Sequence, residues 1–464
     1  MYRERNLDEL VEEIENLDVS NVTDFSNMFY GSYSTRTIDL TRWDVSNAVT
    51  MKSMFQNSKA KFLVSTWVLS KLVDMSNMFM NASYVDPGIS NWDVSNVENM
   101  SKTFYKCDLR KVDFSLWNTK NVTNMNSCFS SAKINDTIAN WNVSKVKKMS
   151  KTFMYTRFTV PVKFNWNTEN VVDMSSMFDS SNFRGELHFN TQRLVNMNNM
   201  FHRTRFTCDL SSWDTYNVML MSGTFSNSTF NGDISQWKTF NVVDMSYMFF
   251  NSDFNGDISQ WDTSNVMYMS HMFTKSKFNN DISQWDVSKV VNVNSLFEES
   301  LFDDDISRWC FKSVMSADRI FANSKFNGDI VRIKINKEAS LEDAFRGTNF
   351  SIDNCFANIN QRSIADLRNI GFDNIVINIP VTDSCVICAG RFRTGERLAV
   401  CTNRKYRLHI FHNECAKLWL NRGYRKECPI CREGMLEVDS DYFAVYHRSR
   451  DSDSLSGTES SESG

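Results

Sequence analysis

The 464-residue sequence contains no run of about eighteen apolar residues, so no membrane-spanning helix is expected. The opening stretch, MYRERNLDELVEEIENL, is charged and has no apolar core, so no secretory signal is expected either. Positive charge is not in excess. Lys and Arg number 51 against 55 Asp and Glu, which leaves a formal charge of −4 and a pI near 6.0. That balance argues against a nucleic-acid binder, whose footprint is a basic stripe. Proline is scarce at four residues, and Pro87 and Pro161 interrupt turn or strand segments. Clustered cysteine is missing from most of the chain. Cys107, Cys128, Cys208, Cys310 and Cys355 stand singly and read as reduced core or surface thiols. The other six of the eleven crowd into residues 385–431. Metal-bound thiolates in a reducing compartment fit that distribution better than a disulfide framework, so an intracellular protein, cytoplasmic or nuclear, is expected.

What is there is repetition. FNGDISQWDTSNVMYMSHMF, residues 254–273, has close copies at 230–249 and 278–297. The phenylalanine that closes each copy stands at 29, 55, 79, 104, 129, 153, 178, 201, 225, 249, 273, 297, 321 and 345: fourteen copies, spaced 23 to 26 residues and mostly 24. Twelve residues earlier comes a second anchor, Trp43, 67, 92, 117, 141, 166, 213, 237, 261, 285 or 309, replaced by Leu17, Phe189 and Ile333 in the other three copies. A slot that is always large and apolar reads as core. Val242, Met245, Met248 and Phe249 follow the spacing of one face of a short helix, with Asn241 and Asp244 suited to an N-terminal cap, as are Asn170 and Asp173. In the other half, Asn255-Gly256 is a turn signal and Asp257-Ile258-Ser259 reads as a brief strand with Ile inward. One short strand and one short helix cannot fold alone; stacked, such units bury a continuous core.

The phrase NVxDMSxMF…FNGDISxWDVS resembles the bacterial surface protein A-like repeat, a divergent relative of leucine-rich repeats. The resemblance covers residues 17–350 and implies a solenoid of ~24-residue coils that serves as a binding scaffold. With strands ~4.8 Å apart, fourteen coils extend about 65 Å.

Residues 7–16 read as an amphipathic helix, so 1–16 form an N-terminal cap. Residues 351–380 form a C-terminal cap and hinge, with SIADLRNI as a closing helix and Pro380 at the hinge. Residues 439–464 form an acidic, Ser-rich tail expected to be unfolded. Six later copies carry Asp four residues before the anchor: Asp209, Asp233, Asp257, Asp281, Asp305 and Asp329. On adjacent coils these make an acidic ladder. Either each carboxylate bonds nearby backbone amides, or the ladder receives a basic segment of a partner.

Residues 381–438 carry the chemistry. Cys385, Cys388, Cys401, His409, His412, Cys415, Cys428 and Cys431 are eight soft donors in four pairs, the number needed for two closed tetrahedral zinc sites. A closed site has no open position for water, so the metal is structural, and it supplies folding energy that so small a domain lacks. The arrangement resembles a RING finger of the H2 type. The resemblance implies interleaved sites, Cys385, Cys388, His412 and Cys415 on one ion and Cys401, His409, Cys428 and Cys431 on the other. It also implies that Ile387, Trp419 and Pro429 form the groove for a ubiquitin-conjugating enzyme, and that Arg432 contacts that enzyme and its ubiquitin. Seven residues separate Cys401 from His409, where the family has one to three. Either a longer hairpin absorbs them, or Cys401 is not a ligand.

The function implied is that of a ubiquitin ligase with no catalytic nucleophile of its own: the solenoid binds an unidentified protein substrate and the RING recruits the conjugating enzyme charged with ubiquitin. The alternative is a non-enzymatic binding or surface, adhesin-like protein with a structural zinc module. Neither reading includes nucleic acid. The pairing of such an array with a RING also points to a large DNA virus acting in its host cell.

Overall fold

The computed structural model describes residues 2–328, 330, 333 and 335–348, together with the strands 397–401, 410–412 and 435–439. The chain divides into two compact units, Met1–Arg362 with Asp366–Asp373, and Ser363–Ala365 with Asn374–Gly464.

In the first unit every repeat lies beside the next in parallel register. Single-residue bridges run from Asp24 through Thr50, Asp74, Asn99, Asn124, Lys148, Asp173, Asn196, Leu220, Asp244, Tyr268, Asn292 and Ser316 to Ser340. The earlier repeats add short parallel pairs on another side: β1 (Thr37–Asp39) with β2 (Lys61–Leu63), β3 (Lys133–Ile134) with β4 (Arg157–Phe158), and β5 (Val162–Phe164) with β6 (Gly185–Leu187). Pro87 opens a 3-10 turn, Pro87–Asn91, and Pro161 separates β4 from β5.

The expected helix in each repeat is absent. Val242, Met245, Met248 and Phe249 are all buried, but the segment is a run of tight turns. Met248 N–H bonds Met245 C=O at 3.2 Å and Phe250 N–H bonds Tyr247 C=O at 3.1 Å. Tyr247 (φ 58°) and Asn251 (φ 48°) are left-handed, which breaks any helical ladder four residues apart. Met245, Tyr247, Phe249 and Asn251 instead donate to Tyr268, Ser270, Met272 and Thr274 of the next repeat at 2.8–3.0 Å. The left-handed slots recur through the array. Glycine fills them at Gly31, Gly223 and Gly347, and Asn, Ser, Lys, Tyr, His, Arg, Glu or Asp elsewhere. An L-residue there costs about 1–2 kcal/mol, which the cross-repeat bonds offset. The supposed cap is also different. Asn241 Nδ2 donates to Tyr216 C=O at 2.6 Å and Asn170 Nδ2 to Ser144 C=O at 2.8 Å, each one repeat back.

Asp257-Ile258-Ser259 is not a strand but irregular chain leading into a turn that starts at Ser259, although Ile258 is buried as expected. The cap helix is shorter than expected: α1 spans Val11–Glu15, with Leu7, Val11 and Ile14 buried. Leu17 does not fill the anchor slot; it is 37% exposed. The chain has just left α1 there, and Ile14, buried, offers its carbonyl to Trp43 Nε1 at 2.9 Å.

The core is a set of aromatic columns. Phe249 stacks on Phe273 at 5.8 Å, Trp261 on Trp285 at 6.3 Å and Phe254 on Phe278 at 6.3 Å, with planes within 11°. Such pairs contribute about 0.5–1.5 kcal/mol each beyond their buried area. The anchor tryptophans also donate Nε1–H one repeat back, as in Trp261 to Ile234 C=O (3.2 Å) and Trp285 to Ile258 C=O (3.1 Å). Trp213 is the exception. Its buried Nε1 has no partner among the described residues. It follows the shortest repeat, Phe178 to Phe201, whose anchor is Phe189.

In the second unit, β7 (Arg397–Cys401) lies between β8 (Ile410–His412) and β9 (Met435–Asp439), both antiparallel to it.

Candidate functional site

Two of the eight candidate donors, Cys401 and His412, lie in strands of this sheet. The β7–β8 register pairs Leu398 with His412, Ala399 with Phe411 and Val400 with Ile410. Cys401 is the last residue of β7 and pairs with Met435 of β9; His412 is the last residue of β8. The last β7–β8 pair, Val400↔Ile410, therefore directly precedes Cys401 in the chain and directly follows His409. Positions facing one another in such a ladder lie ~5 Å apart. Cys385, Cys388, His409, Cys415, Cys428 and Cys431 lie outside the described residues, as do Ile387, Trp419, Pro429 and Arg432.

The acidic ladder lies on the repeats. Oδ1 of Asp209, Asp233, Asp257, Asp281 and Asp305 accepts the backbone N–H of the serine two residues on, at 2.7–2.9 Å. Asp329 lies outside the described residues. Hydrogen bonds from Ser211, Ser235, Ser283 and Ser307 hold Asp209, Asp233, Asp281 and Asp305 below the ordinary carboxylate range. The neighbouring charge works the other way, Asp209 on Asp233 and Asp281 on Asp305, and the hydrogen bonds outweigh it. The same local bond recurs just after the anchor, from Ser46 to Asp44 and from Ser264 to Asp262, at 3.0 Å in both.

A further surface feature is not marked by any motif. Val172, Met219, Met267 and Met315 are exposed, and Val195, Val243 and Val291 between them are half-buried. They occupy one position in successive repeats, immediately before the bridge residue, and Tyr216 and Phe240 lie exposed three residues before Met219 and Val243. The signal in the sequence was the second member of each apolar pair such as Val242-Val243, beside a buried first member.

His202 Nδ1 lies 2.8 Å from Oδ1 of the buried Asp179, and its Nε2 faces the Asn227 amide at 3.5 Å. An amide is no nucleophile, so the pair does not form an acyl-transfer triad. No group of three or more His, Cys, Asp or Glu able to hold a metal occurs among the described residues. No helix among them is long and apolar enough to cross a membrane. Cys107, Cys128 and Cys208 are free and buried; Cys310 is free and exposed, and Cys355 lies outside the described residues. Burial pushes the thiols of Cys107 and Cys208 up to about 12 and raises that of Cys128.

Comparison with known proteins gives two family matches. The family described as "Mycoplasma protein of unknown function, DUF285" matches residues 1–86, 73–188, 161–255 and 250–357. A Ring finger domain matches residues 383–432. The human E3 ubiquitin-protein ligase ZNRF4 is 27% identical over 73 residues, 15% of this chain and 16% of that protein. The RING-H2 finger protein ATL72 of Arabidopsis thaliana is 34% identical over 76 residues, 16% of this chain and 39% of that protein. The chain thus spans well under half the length of either relative. No solved structure matches.

Proposed function

We propose a function from one premise: the chain belongs to the DUF285 family, and a Ring finger domain follows its repeats. It is a RING-type E3 ubiquitin ligase in which the repeats, as a leucine-rich-repeat-like solenoid, hold a protein substrate and the finger recruits a ubiquitin-conjugating enzyme. The observation that carries this reading is the Ring finger match at 383–432, reinforced by likeness to two proteins named as a ubiquitin ligase and a RING-H2 finger protein.

A Ring finger implies zinc, and the donors fit it: six thiols and two imidazoles within residues 385–431 are soft ligands suited to closed tetrahedral sites. We assign Cys385, Cys388, His412 and Cys415 to one ion and Cys401, His409, Cys428 and Cys431 to a second. The β7–β8 pairing supports Cys401 as a ligand. The long segment between Cys401 and His409 sits in the connection of an antiparallel pair, so its length need not part its two ends. When bound, the metal supplies structure and folding energy.

Ile387, Trp419 and Pro429 form the docking groove, and Arg432 reaches both the enzyme and its ubiquitin. The substrate's lysine amine attacks the ubiquitin thioester carbonyl, and the thiolate of the conjugating enzyme leaves. This chain forms no covalent bond; it contributes by positioning, which is worth several kcal/mol. The free thiols Cys107, Cys128 and Cys208 support a reducing, intracellular setting, a host cytoplasm or nucleus if the source is viral. The acidic ladder remains a candidate landing strip for a basic partner segment.

Incubation with a panel of conjugating enzymes, ubiquitin and ATP should yield ubiquitin chains. Arg432→Ala should slow them severalfold at unchanged zinc content. Silence across the panel, with zinc bound, would leave the second reading, a binding protein with a structural finger.

A further inference from the structure

The formal charge of −4 conceals a strong local imbalance. Residues 102–163 hold ten lysines and two arginines against three aspartates. Arg110 and Lys133 pair with Asp108, and Lys163 with Glu186. Of the nine cations left over, all but Lys111 and Arg157 gather on one face. In the repeats closing at Phe104, Phe129 and Phe153, the segments 95–106, 120–131 and 144–155 occupy the same side, because each donates alternate N–H groups to the next. Those segments carry Lys102, Lys106, Lys120, Lys145, Lys147, Lys148 and Lys151, all exposed, against a single acid, Glu98. None of the seven forms an ion pair among the described residues. Lys145 bonds only the neutral Asn121 Oδ1, at 2.7 Å, and Lys106 lies over the Tyr105 ring. The next repeat on this side carries Glu169, Asp173 and Asp179, which ends the patch.

Seven cations against one acid give this face a net positive potential, offset only at its far edge, where Asp173 of the next repeat is β-bridged to Lys148. We infer that this lysine face binds an Asp/Glu-rich segment of a partner protein, which on the ligase reading is the substrate. Three features favour a carboxylate-rich polypeptide over nucleic acid. The face has no arginine, whose planar fork is the residue of choice for phosphate. Tyr155 is its one large exposed aromatic, too few for a base-stacking track. It spans three repeats, about 10 Å along the stack, which suits a few acidic side chains and not a long duplex. Lysine heads on flexible stems suit a segment bound by charge without strict register.

The test uses the full-length chain, a fluorescein-labelled oligo-glutamate peptide and, in a parallel arm, a labelled single-stranded RNA of equal charge. The wild type should bind the peptide at low salt and release it as ionic strength rises. Reversal of four lysines, K102E, K106E, K148E and K151E together, should weaken binding at least tenfold. A control reversal of Lys52, Lys59, Lys238 and Lys312 should change it less than twofold. Near-ultraviolet circular dichroism of the stacked tryptophans confirms that both variants are folded. Equal binding by the two variants overturns the proposal, as does salt-insensitive binding. Tenfold tighter RNA binding lost in the same variant overturns it in favour of a nucleic-acid surface. None of these readouts uses ubiquitin, so failure here leaves the ligase reading standing, and a ligase failure leaves the acidic-segment site standing.

Discussion

Phenylalanine in place of two anchor tryptophans should have unequal costs. Trp261 and Trp213 are both 3–4% exposed and both stack on anchors before and after, at 6.2–6.4 Å. Phenylalanine is a native occupant of the slot, as Phe189, so the ring column survives either change. The lost volume is the same at both sites. The hydrogen bonds differ. Trp261 Nε1 bonds Ile234 C=O at 3.2 Å, whereas Trp213 Nε1 is buried without a partner. Trp261→Phe forfeits that bond, about 0.5–1.5 kcal/mol. It leaves no orphan, because Trp237 N–H still bonds Ile234 C=O at 3.1 Å. Trp213→Phe removes an unsatisfied buried donor and so recovers about 1–3 kcal/mol of desolvation cost. Trp261→Phe should therefore be the less stable variant by about 3 kcal/mol, the sum of those two effects. Urea unfolding followed by near-ultraviolet circular dichroism reads the difference as a midpoint shift. Equal midpoints would refute the assignment of a hydrogen-bonding role to the indole nitrogens.

Further predictions concern the metal, the carboxylates and the thiols. Native mass spectrometry should find two zinc ions per chain and one in Cys401→Ser; two in the variant would remove Cys401 from the ligand set. Asp209, Asp233, Asp281 and Asp305 have folded pKa values below their unfolded ones. Their contribution is thus complete above the unfolded value of about 3.9 and is lost as pH falls through the folded values. Thermal melts should be flat from this source between pH 7 and 5 and fall below about pH 4, with Asp281→Ala blunting the fall. A melting temperature that rises on acidification would contradict the bonding pattern. Peptide mapping after iodoacetamide treatment should show Cys310 modified in the folded protein, and Cys107, Cys128 and Cys208 only after unfolding. Early modification of Cys128 would contradict its burial.

The repeat, its period and its core residues could be read directly, because burial leaves large apolar side chains at fixed intervals. Val242, Met245, Met248 and Phe249 point inward as their spacing implied. Their helix does not exist, because a run of turns with a left-handed residue every fourth position buries the same set. Apolar spacing records which residues face inward and not which neighbour receives each N–H. Asn241 and Asn170 misled for a similar reason. Asparagine before an apolar run suits a helix cap, and it equally suits a bond to the preceding repeat. Leu17 failed because the end of an array has no earlier copy to stack on. In the finger, the donor spacing was legible from sequence, and the β7–β8 register adds how a long connection can return the chain beside Cys401. The lysine face escaped notice because whole-chain charge averages it against acids elsewhere.

The bonds that hold one repeat to the next have a mechanical corollary. Among the described residues, each repeat is fastened to the next by a row of parallel N–H···O=C bonds and a few ring contacts. Tension applied along the chain loads these fasteners one row at a time, as a zipper is loaded, and not all together. Every row that gives way frees about 24 residues, or roughly 80 Å of extended chain. A pulled molecule should lengthen in small, evenly sized steps at modest force, acting as a ratcheted spring and not as a body that ruptures once.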